Sequence, residues 1–300
     1  RQMCIRDRNK TDCTTMRALF ITLNLKGCGN MSLPVALQLF SVRDDMAADF
    51  EGTLKKVRSM GYQGVEFAGL YGNDVEMVKK LLLENDLEPV SAHISIDEFL
   101  SDLDGTIDRY LEIGCKYAAI PYLVEELRPG GPKWGETVEN IKKIALAAKK
   151  KGLQLMYHNH DFEFVKIDGE YALDKLYNTI NADLLQTELD TCWVNVAGVN
   201  PVNYVKKYSG RTPVLHLKDF TGGKTDHMYE LIGIESEKPQ YTKAFEFRPV
   251  GYGKQDVPSL LEAAEESATK WLVVEQDAPS MGRTPLQCAE MSINYLKTLL

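Results

Sequence analysis

Eight times after Met31, a short apolar run gives way to an amphipathic segment, and this rhythm leaves the chain very few folds to choose from. The runs are residues 35–41, 64–68, 89–94, 117–121, 153–158, 184–189, 214–217 and 271–275. Each is near-continuously apolar, as a strand buried on both faces requires. The segments between them, such as 50–60, 74–84, 137–150 and 257–268, repeat their apolar residues at helical spacing. Gly61, Gly114, Gly152 and Gly210 each follow such a segment, where a left-handed residue closes a helix. Eight strand–helix units in about 270 residues predict a closed (β/α)8 TIM barrel, one domain over residues 31–300. An open doubly wound sheet is the alternative, but no Gly-rich phosphate loop follows the first strand.

Composition then narrows the function. With 35 Lys and Arg against 43 Asp and Glu, the net charge is −8 at pH 7. That balance repels a phosphate backbone, so no nucleic-acid partner is expected. The best basic cluster, Lys149-Lys150-Lys151, closes a helix pattern, where cations favour the dipole. No apolar run approaches the ~20 residues that cross a bilayer, so no membrane partner is expected either. Six cysteines occur without a CxxC pair, and Cys115, Cys192 and Cys288 are scattered through the body. Reduced thiols in a cytoplasm fit that pattern. Residues 1–30 have no clear period and read as a non-native or disordered extension, with the natural start expected at Met31. A lipoprotein signal running from Met16 to Cys28 is the competing idea, against which Thr22, Asn24 and Lys26 argue.

Ionisable residues gather at the downstream ends of the apolar runs. His93 ends the third, His158 and His160 follow the fifth, Asp190 ends the sixth, His216 lies in the seventh and Glu275 ends the eighth. In a parallel barrel all these ends face one mouth, so residues far apart in sequence can converge there. Burying such groups costs several kcal/mol unless they are paired or bound to metal. Side chains alternate faces, so His158 and His160 share a face, as do Glu188 and Asp190, His216 and Lys218, and Glu275 and Asp277. A mixed carboxylate and imidazole set suits Mn, Fe, Co or Zn, whereas carboxylates alone lean toward Mg. Two long irregular stretches, 122–135 and 219–253, are expected over the same mouth.

Other candidates sit around this cluster. Arg43 at the first strand exit is a candidate anion or hydroxyl contact, and His93 a candidate substrate contact. Glu66 at the second exit binds a hydroxyl or packs a barrel layer. Trp134 stacks on a sugar ring or packs under its own Pro/Gly loop. Lys218 neutralises an oxyanion or phosphate, or else pairs with Glu188 or Asp219. His227, in the seventh loop, reads as solvated, and Cys192 as packing.

The runs Leu37-Gln38-Leu39-Phe40-Ser41-Val42-Arg43-Asp44, Gly61-Tyr62-Gln63-Gly64-Val65-Glu66-Phe67, Leu189-Asp190-Thr191, His216-Leu217-Lys218-Asp219 and Pro249-Val250-Gly251-Tyr252-Gly253 carry a resemblance. Over residues 33–300 the chain resembles the xylose-isomerase-like barrel superfamily, in the sugar phosphate isomerase/epimerase branch that includes inosose dehydratases. The resemblance implies one divalent metal, Mn ahead of Co, Zn or Mg, bound by Glu, Asp, His and Glu from the last four strands. Asp190, His216 and Glu275 fall on the last three of those positions. At the first, this chain departs and has His158, followed by Asn159 and His160. Trp193 stands where many relatives carry a histidine that orients substrate, and so joins the substrate-binding candidates.

The activity so implied is that of a sugar isomerase or epimerase working through a metal-stabilised cis-enediolate. Glu275 is the expected base, with His158 or His160 on the opposite side. A dehydratase or lyase acting on an inosose or 3-keto-sugar shares that intermediate and is the main alternative. A catalytically inactive sugar-binding barrel and an endonuclease for abasic DNA are the readings from other classes. A small sugar or polyol is the expected partner, and a homodimer the expected assembly.

Overall fold

The computed structural model describes residues 33–225, 228 and 245–300. The proposed extension over residues 1–30 and His227 lie outside them. Eight parallel strands form one sheet: β1 (Val35–Gln38), β2 (Gly64–Phe67), β3 (Glu88–Ala92), β4 (Tyr117–Ile120), β5 (Gln154–His158), β6 (Leu185–Asp190), β7 (Val214–Leu217) and β8 (Trp271–Val274). Their order is β3-β2-β1-β8-β7-β6-β5-β4. A parallel bridge between His93 and Ala119 links β3 to β4, and Ile94 N–H donates to Ala119 O at 2.9 Å. The sheet thereby closes on itself, and the predicted eight-stranded barrel is what the chain builds.

Local chemistry explains why the helices sit where they do. In the helix Phe50–Met60, Phe50, Thr53, Leu54 and Val57 are buried at i, i+3, i+4 and i+7. Burial of a leucine such as Leu54 contributes about 2–3 kcal/mol. The Asp49 carboxylate accepts from Gly52 N–H at its start, and Gly61 closes it at φ 105°. Gly114 and Gly152 cap their helices in the same left-handed way. Gly210 does not. The helix Pro201–Lys207 is capped by Tyr208, and Gly210 lies in the turn beyond, its N–H donating to Ser267 O.

Two boundaries also moved. The first apolar run leaves the sheet at Gln38 and tightens into a 3-10 turn, Leu39–Val42, because the Gln38 side chain accepts from Phe40 N–H. The stretch 219–253 is not irregular throughout: Asp219–Gly222 pairs antiparallel with Phe245–Arg248 above β7. Among the described residues no helix is long and apolar enough to cross a membrane.

Inside the barrel the strand period sorts side chains into tiers. Ala36, Val90, Ala119, Met156, Val214 and Val273 form an apolar cluster separate from the main core between strands and helices. One step nearer the mouth, on the same face, come Gln38, His158 and His216. The ionisable groups of the site therefore rise from an apolar floor.

Candidate metal centre

Asp190 is the most constrained group of the centre. It ends β6 and caps the helix Thr191–Val196, its Oδ1 accepting from Cys192 N–H (2.7 Å) and Trp193 N–H (3.1 Å). Asn159 clamps its backbone from the next strand exit, accepting from Asp190 N–H at 3.0 Å. With Oδ1 occupied, Oδ2 is held pointing inward. It accepts no hydrogen bond, although fully buried, and lies 3.7 Å from both His158 Nε2 and Lys218 Nζ. His216 Nδ1 is 3.2 Å from Glu275 Oε2, which in turn receives Lys218 Nζ at 3.0 Å.

Ligand atoms from His158, Asp190, His216 and Glu275 all lie within 4.8 Å of one another. An ion with bonds of 2.0–2.2 Å spans donors up to about 4.4 Å apart across its centre, so small side-chain adjustments seat one. The bare, buried Asp190 Oδ2 is what a cation would neutralise. The residues present fit a divalent metal.

Electrostatics separates these groups into roles. Burial raises the Glu275 carboxyl, but Lys218 and His216 outweigh it and hold it well below the usual carboxylate range. Burial pushes Asp190 and Asp277 each up to about 6. Burial opposes the Lys218 charge, yet Asp277, Glu275 and Asp190 keep the ammonium protonated well beyond its ordinary range. Lys218 pairs with those three carboxylates, with Asp277 at 2.6 Å, and not with Glu188 or Asp219. His158 is held neutral by burial and by the neighbouring imidazoles His216 and His93. His160 is held neutral by burial and by Lys218.

Above the centre opens a cavity of about 370 Å³, lined among others by Phe40, His93, Tyr122, His160, Lys218 and Asp277. Its wall also includes His158 and Glu275, so two of the four candidate ligands face it. Tyr122, Val124 and Leu127 belong to the Pro/Gly-rich stretch after β4, which the sequence placed over the mouth.

Four of the residues expected to contact substrate do not line the cavity, and for Glu66 and Trp134 packing was the other expectation. Arg43 donates to the carbonyls of Asp277 (2.8 Å) and Phe40 (3.1 Å) and lies over the Phe40 ring, tying the first strand exit to the last. Trp134 opens the helix Trp134–Lys151 and packs against the main core. Trp193 is fully buried behind the site, stacked on His160 at 5.2 Å and on Phe245 at 6.2 Å. Glu66 is fully buried below the rim, accepting from Gln38 Nε2 (2.6 Å) and Ser91 Oγ, with His216 Nε2 at 2.8 Å.

One group was read only as a face-mate of Asp190 and a possible partner of Lys218, and another escaped the sequence reading. Glu188 sits deep in the barrel with His93 Nε2 at 2.6 Å and His158 Nδ1 at 3.2 Å; its position two residues before Asp190, on the same face, was the available signal. Glu163 accepts from the Tyr157 hydroxyl (2.5 Å) and from His160 N–H (2.8 Å), fixing the backbone that presents His160. Burial pushes Glu163 up to about 8 from an ordinary 4.5. A raised carboxyl stabilises the fold fully below its unfolded value, and that contribution is lost as pH rises through the folded value. Glu163→Gln is expected to flatten the fall in melting temperature between about pH 5 and 8. Parallel melting-temperature profiles for the two proteins would remove Glu163 as the cause.

The geometry now meets the relatives. A sequence profile of the xylose isomerase-like TIM barrel matches residues 54–299. An inosose dehydratase of Clostridium botulinum is 24% identical over 273 residues, spanning 83% of this chain and 89% of that protein. A solved sugar phosphate isomerase/epimerase from Parabacteroides distasonis superposes with a TM-score of 0.72 at 20% identity, covering 90% of this chain and 96% of the other. The IOLI protein with a bound zinc atom superposes at 0.66 with 14% identity, over 89% and 98% of the two chains. The two structures share the fold; the profile spans seven of the eight strands and reaches the last helix. This chain belongs to the xylose isomerase-like TIM barrel family.

Proposed function

We propose that this chain is a divalent-metal-dependent isomerase or epimerase of an uncharged sugar or polyol. One observation carries the reading: four ligand atoms converge at the floor of a cavity whose wall includes two of their residues, His158 and Glu275, together with His160 and Lys218. A divalent ion held by His158, Asp190, His216 and Glu275, manganese ahead of Co, Zn or Mg, supplies Lewis acidity toward a carbonyl and its neighbouring hydroxyl.

The chain's own groups do the rest. His160, neutral and outside the ligand set, accepts the proton from the carbon beside the carbonyl. Glu275 was the expected base, but its carboxylate is committed to the ligand set and to Lys218 and His216, whereas His160 faces the cavity outside that set, so His160 ranks first. Lys218 stays charged and stabilises the oxygen on which negative charge develops. Return of the proton to the other face, or to the neighbouring carbon, completes epimerisation or isomerisation.

Charge selects the substrate. Asp97, Glu98, Glu275 and Asp277 line the cavity against Lys218, itself already paired. A bound divalent ion offsets the carboxylates at the centre, and the two left at the mouth, Asp97 and Glu98, favour a neutral polyol over a phosphate ester.

A second reading, a dehydratase, is favoured by the inosose dehydratase relative that spans 83% of the chain. Both start from the same proton abstraction. Incubation of the manganese-loaded protein with a ketohexose and with a cyclic polyol ketone in heavy water separates them. Deuterium at the α carbon without loss of water supports the epimerase or isomerase. An unsaturated product supports the dehydratase. Neither outcome, with metal bound, would sink both. Glu275→Gln is expected to lower turnover about 100-fold, through loss of roughly 3 kcal/mol of ligand and Lys218 pairing. Unchanged turnover would remove it from the site.

A further inference from the structure

The interior of an α/β barrel is ordinarily filled with aliphatic layers. Here only the lowest tier is aliphatic. The tier above it holds Gln38, Glu66, His158, Glu188 and His216, all buried, with His93 reaching in from beyond β3. That is more ionisable chemistry than the rim set uses.

Three ring nitrogens converge on one oxygen of this tier. From Glu188 Oε2, His93 Nε2 lies at 2.6 Å, His158 Nδ1 at 3.2 Å and His216 Nε2 at 3.4 Å. A tetrahedral site with bonds of about 2.0–2.1 Å has donor–donor edges of about 3.3 Å, so the group stands near ligand spacing. Glu188 Oε1 is buried and accepts no hydrogen bond. The nitrogens involved are also not those of the rim set. His158 faces Asp190 with Nε2 and His216 faces Glu275 with Nδ1, which leaves His158 Nδ1 and His216 Nε2 for the tier below.

We propose that His93, His158, Glu188 and His216 form a second divalent-cation seat, one tier beneath the rim site and sharing His158 and His216 with it through their opposite ring nitrogens. Three imidazoles and one carboxylate suit zinc or cobalt better than magnesium. Glu66, 3.1 Å from His93 Nε2, supplies the adjacent negative charge. When both seats are filled, His158 and His216 bridge them, each ring releasing its remaining N–H proton to solvent. The alternative is that Glu188 and Glu66 only accept N–H bonds that orient metal-bound rings. In that arrangement His93 bonds Glu66 and Glu188 and His216 bonds Glu66, and no cation enters the lower tier.

Zinc titration of the metal-free full chain, read by equilibrium dialysis and elemental analysis, decides between them. Two equivalents are expected for the unmodified protein and one for Glu188→Gln. Glu275→Gln, which strips the rim set, is expected to keep the deep equivalent, so failure of the rim site is read separately. Saturation at one equivalent, unchanged in Glu188→Gln, overturns the proposal. A folding defect in Glu188→Gln leaves a direct measurement: zinc-edge anomalous diffraction from crystals of the unmodified protein. Two peaks inside the barrel support the deep seat, and a single peak at the rim overturns it.

Discussion

Asparagine in place of Asp190 is expected to lower the affinity for manganese by about 100-fold or more while leaving the metal-free fold nearly as stable. The two halves of that expectation come from the two oxygens. Oδ1 caps the helix Thr191–Val196 through Cys192 and Trp193 N–H, and an asparagine carbonyl caps as well as aspartate does. Oδ2 would face a bound ion, and there the charge is what matters. Removing one partner of a buried charge pair costs about 3–5 kcal/mol, and 1.4 kcal/mol is tenfold in binding. Without a cation the carboxylate is itself strained by its surroundings, burial having pushed it up to about 6, so losing it costs the metal-free protein little. Asp190→Ala removes the cap too and is expected to cost about 1 kcal/mol more in stability. Calorimetric titration with manganese and thermal melts of the metal-free proteins measure both halves. An asparagine variant that binds manganese as tightly as the parent would show that Asp190 is only a helix cap.

The barrel and the convergence of its candidate ligands were legible for a physical reason. A strand buried on both faces must be apolar along its length, so an ionisable residue at its downstream end stands out, and a parallel barrel brings every such end to one mouth. His158, Asp190, His216 and Glu275 follow from that logic, and their ligand atoms do converge. Depth is what the pattern does not encode. Glu66 looked like a rim residue, and Glu188 like a partner for Lys218, yet both lie a tier lower. Period two tells which face a side chain takes but not how far down the barrel the neighbouring strand sets it. The register of β6 against β7, Asp190 opposite His216, decides that, and register is a property of two strands. Arg43 and Trp134 lie off the cavity for another reason. Each is a large side chain near a strand exit or mouth loop, and only the three-dimensional neighbours, the Asp277 carbonyl and the helix-side core, draw them away.

Alanine at Asp219 is expected to lower the melting temperature by roughly 10 °C. Asp219 looked like the tail of one motif and Pro249-Val250-Gly251-Tyr252-Gly253 like another; in space they are one unit. The Asp219 carboxylate, 1% exposed, accepts from Phe220 (2.8 Å) and Gln255 (3.0 Å) N–H at Oδ1 and from Gly251 (3.0 Å) and Gly253 (2.9 Å) N–H at Oδ2. Each such bond to a charged acceptor contributes about 1.5–3 kcal/mol, part of which water recovers when the side chain is removed. A net loss of about 4 kcal/mol then lowers the melting temperature by about 8–16 °C at this size. The glycines are part of the same device. A Cβ on Gly253 would sit 2.1 Å from Asp219 Oδ1, and Gly251 takes φ 88° with the Tyr295 ring where its Cβ would go. Gly253→Ala is therefore expected to cost a comparable amount by prising the loop off the carboxylate. Asp219→Asn is expected to fall between the parent and alanine, because its amide turns donors toward donors on one side. The damage reaches the site, since Gln255 Nε2 donates to Lys218 O (3.2 Å) and its Oε1 accepts from Asn195 (2.8 Å). Freed from that strap, Lys218 no longer stands fixed between Glu275 and Asp277, so turnover is expected to fall along with stability. Melting temperatures of the Asp219 variants within about 2 °C of the parent would show that the loop holds itself, and that Lys218 owes its position to the carboxylates alone.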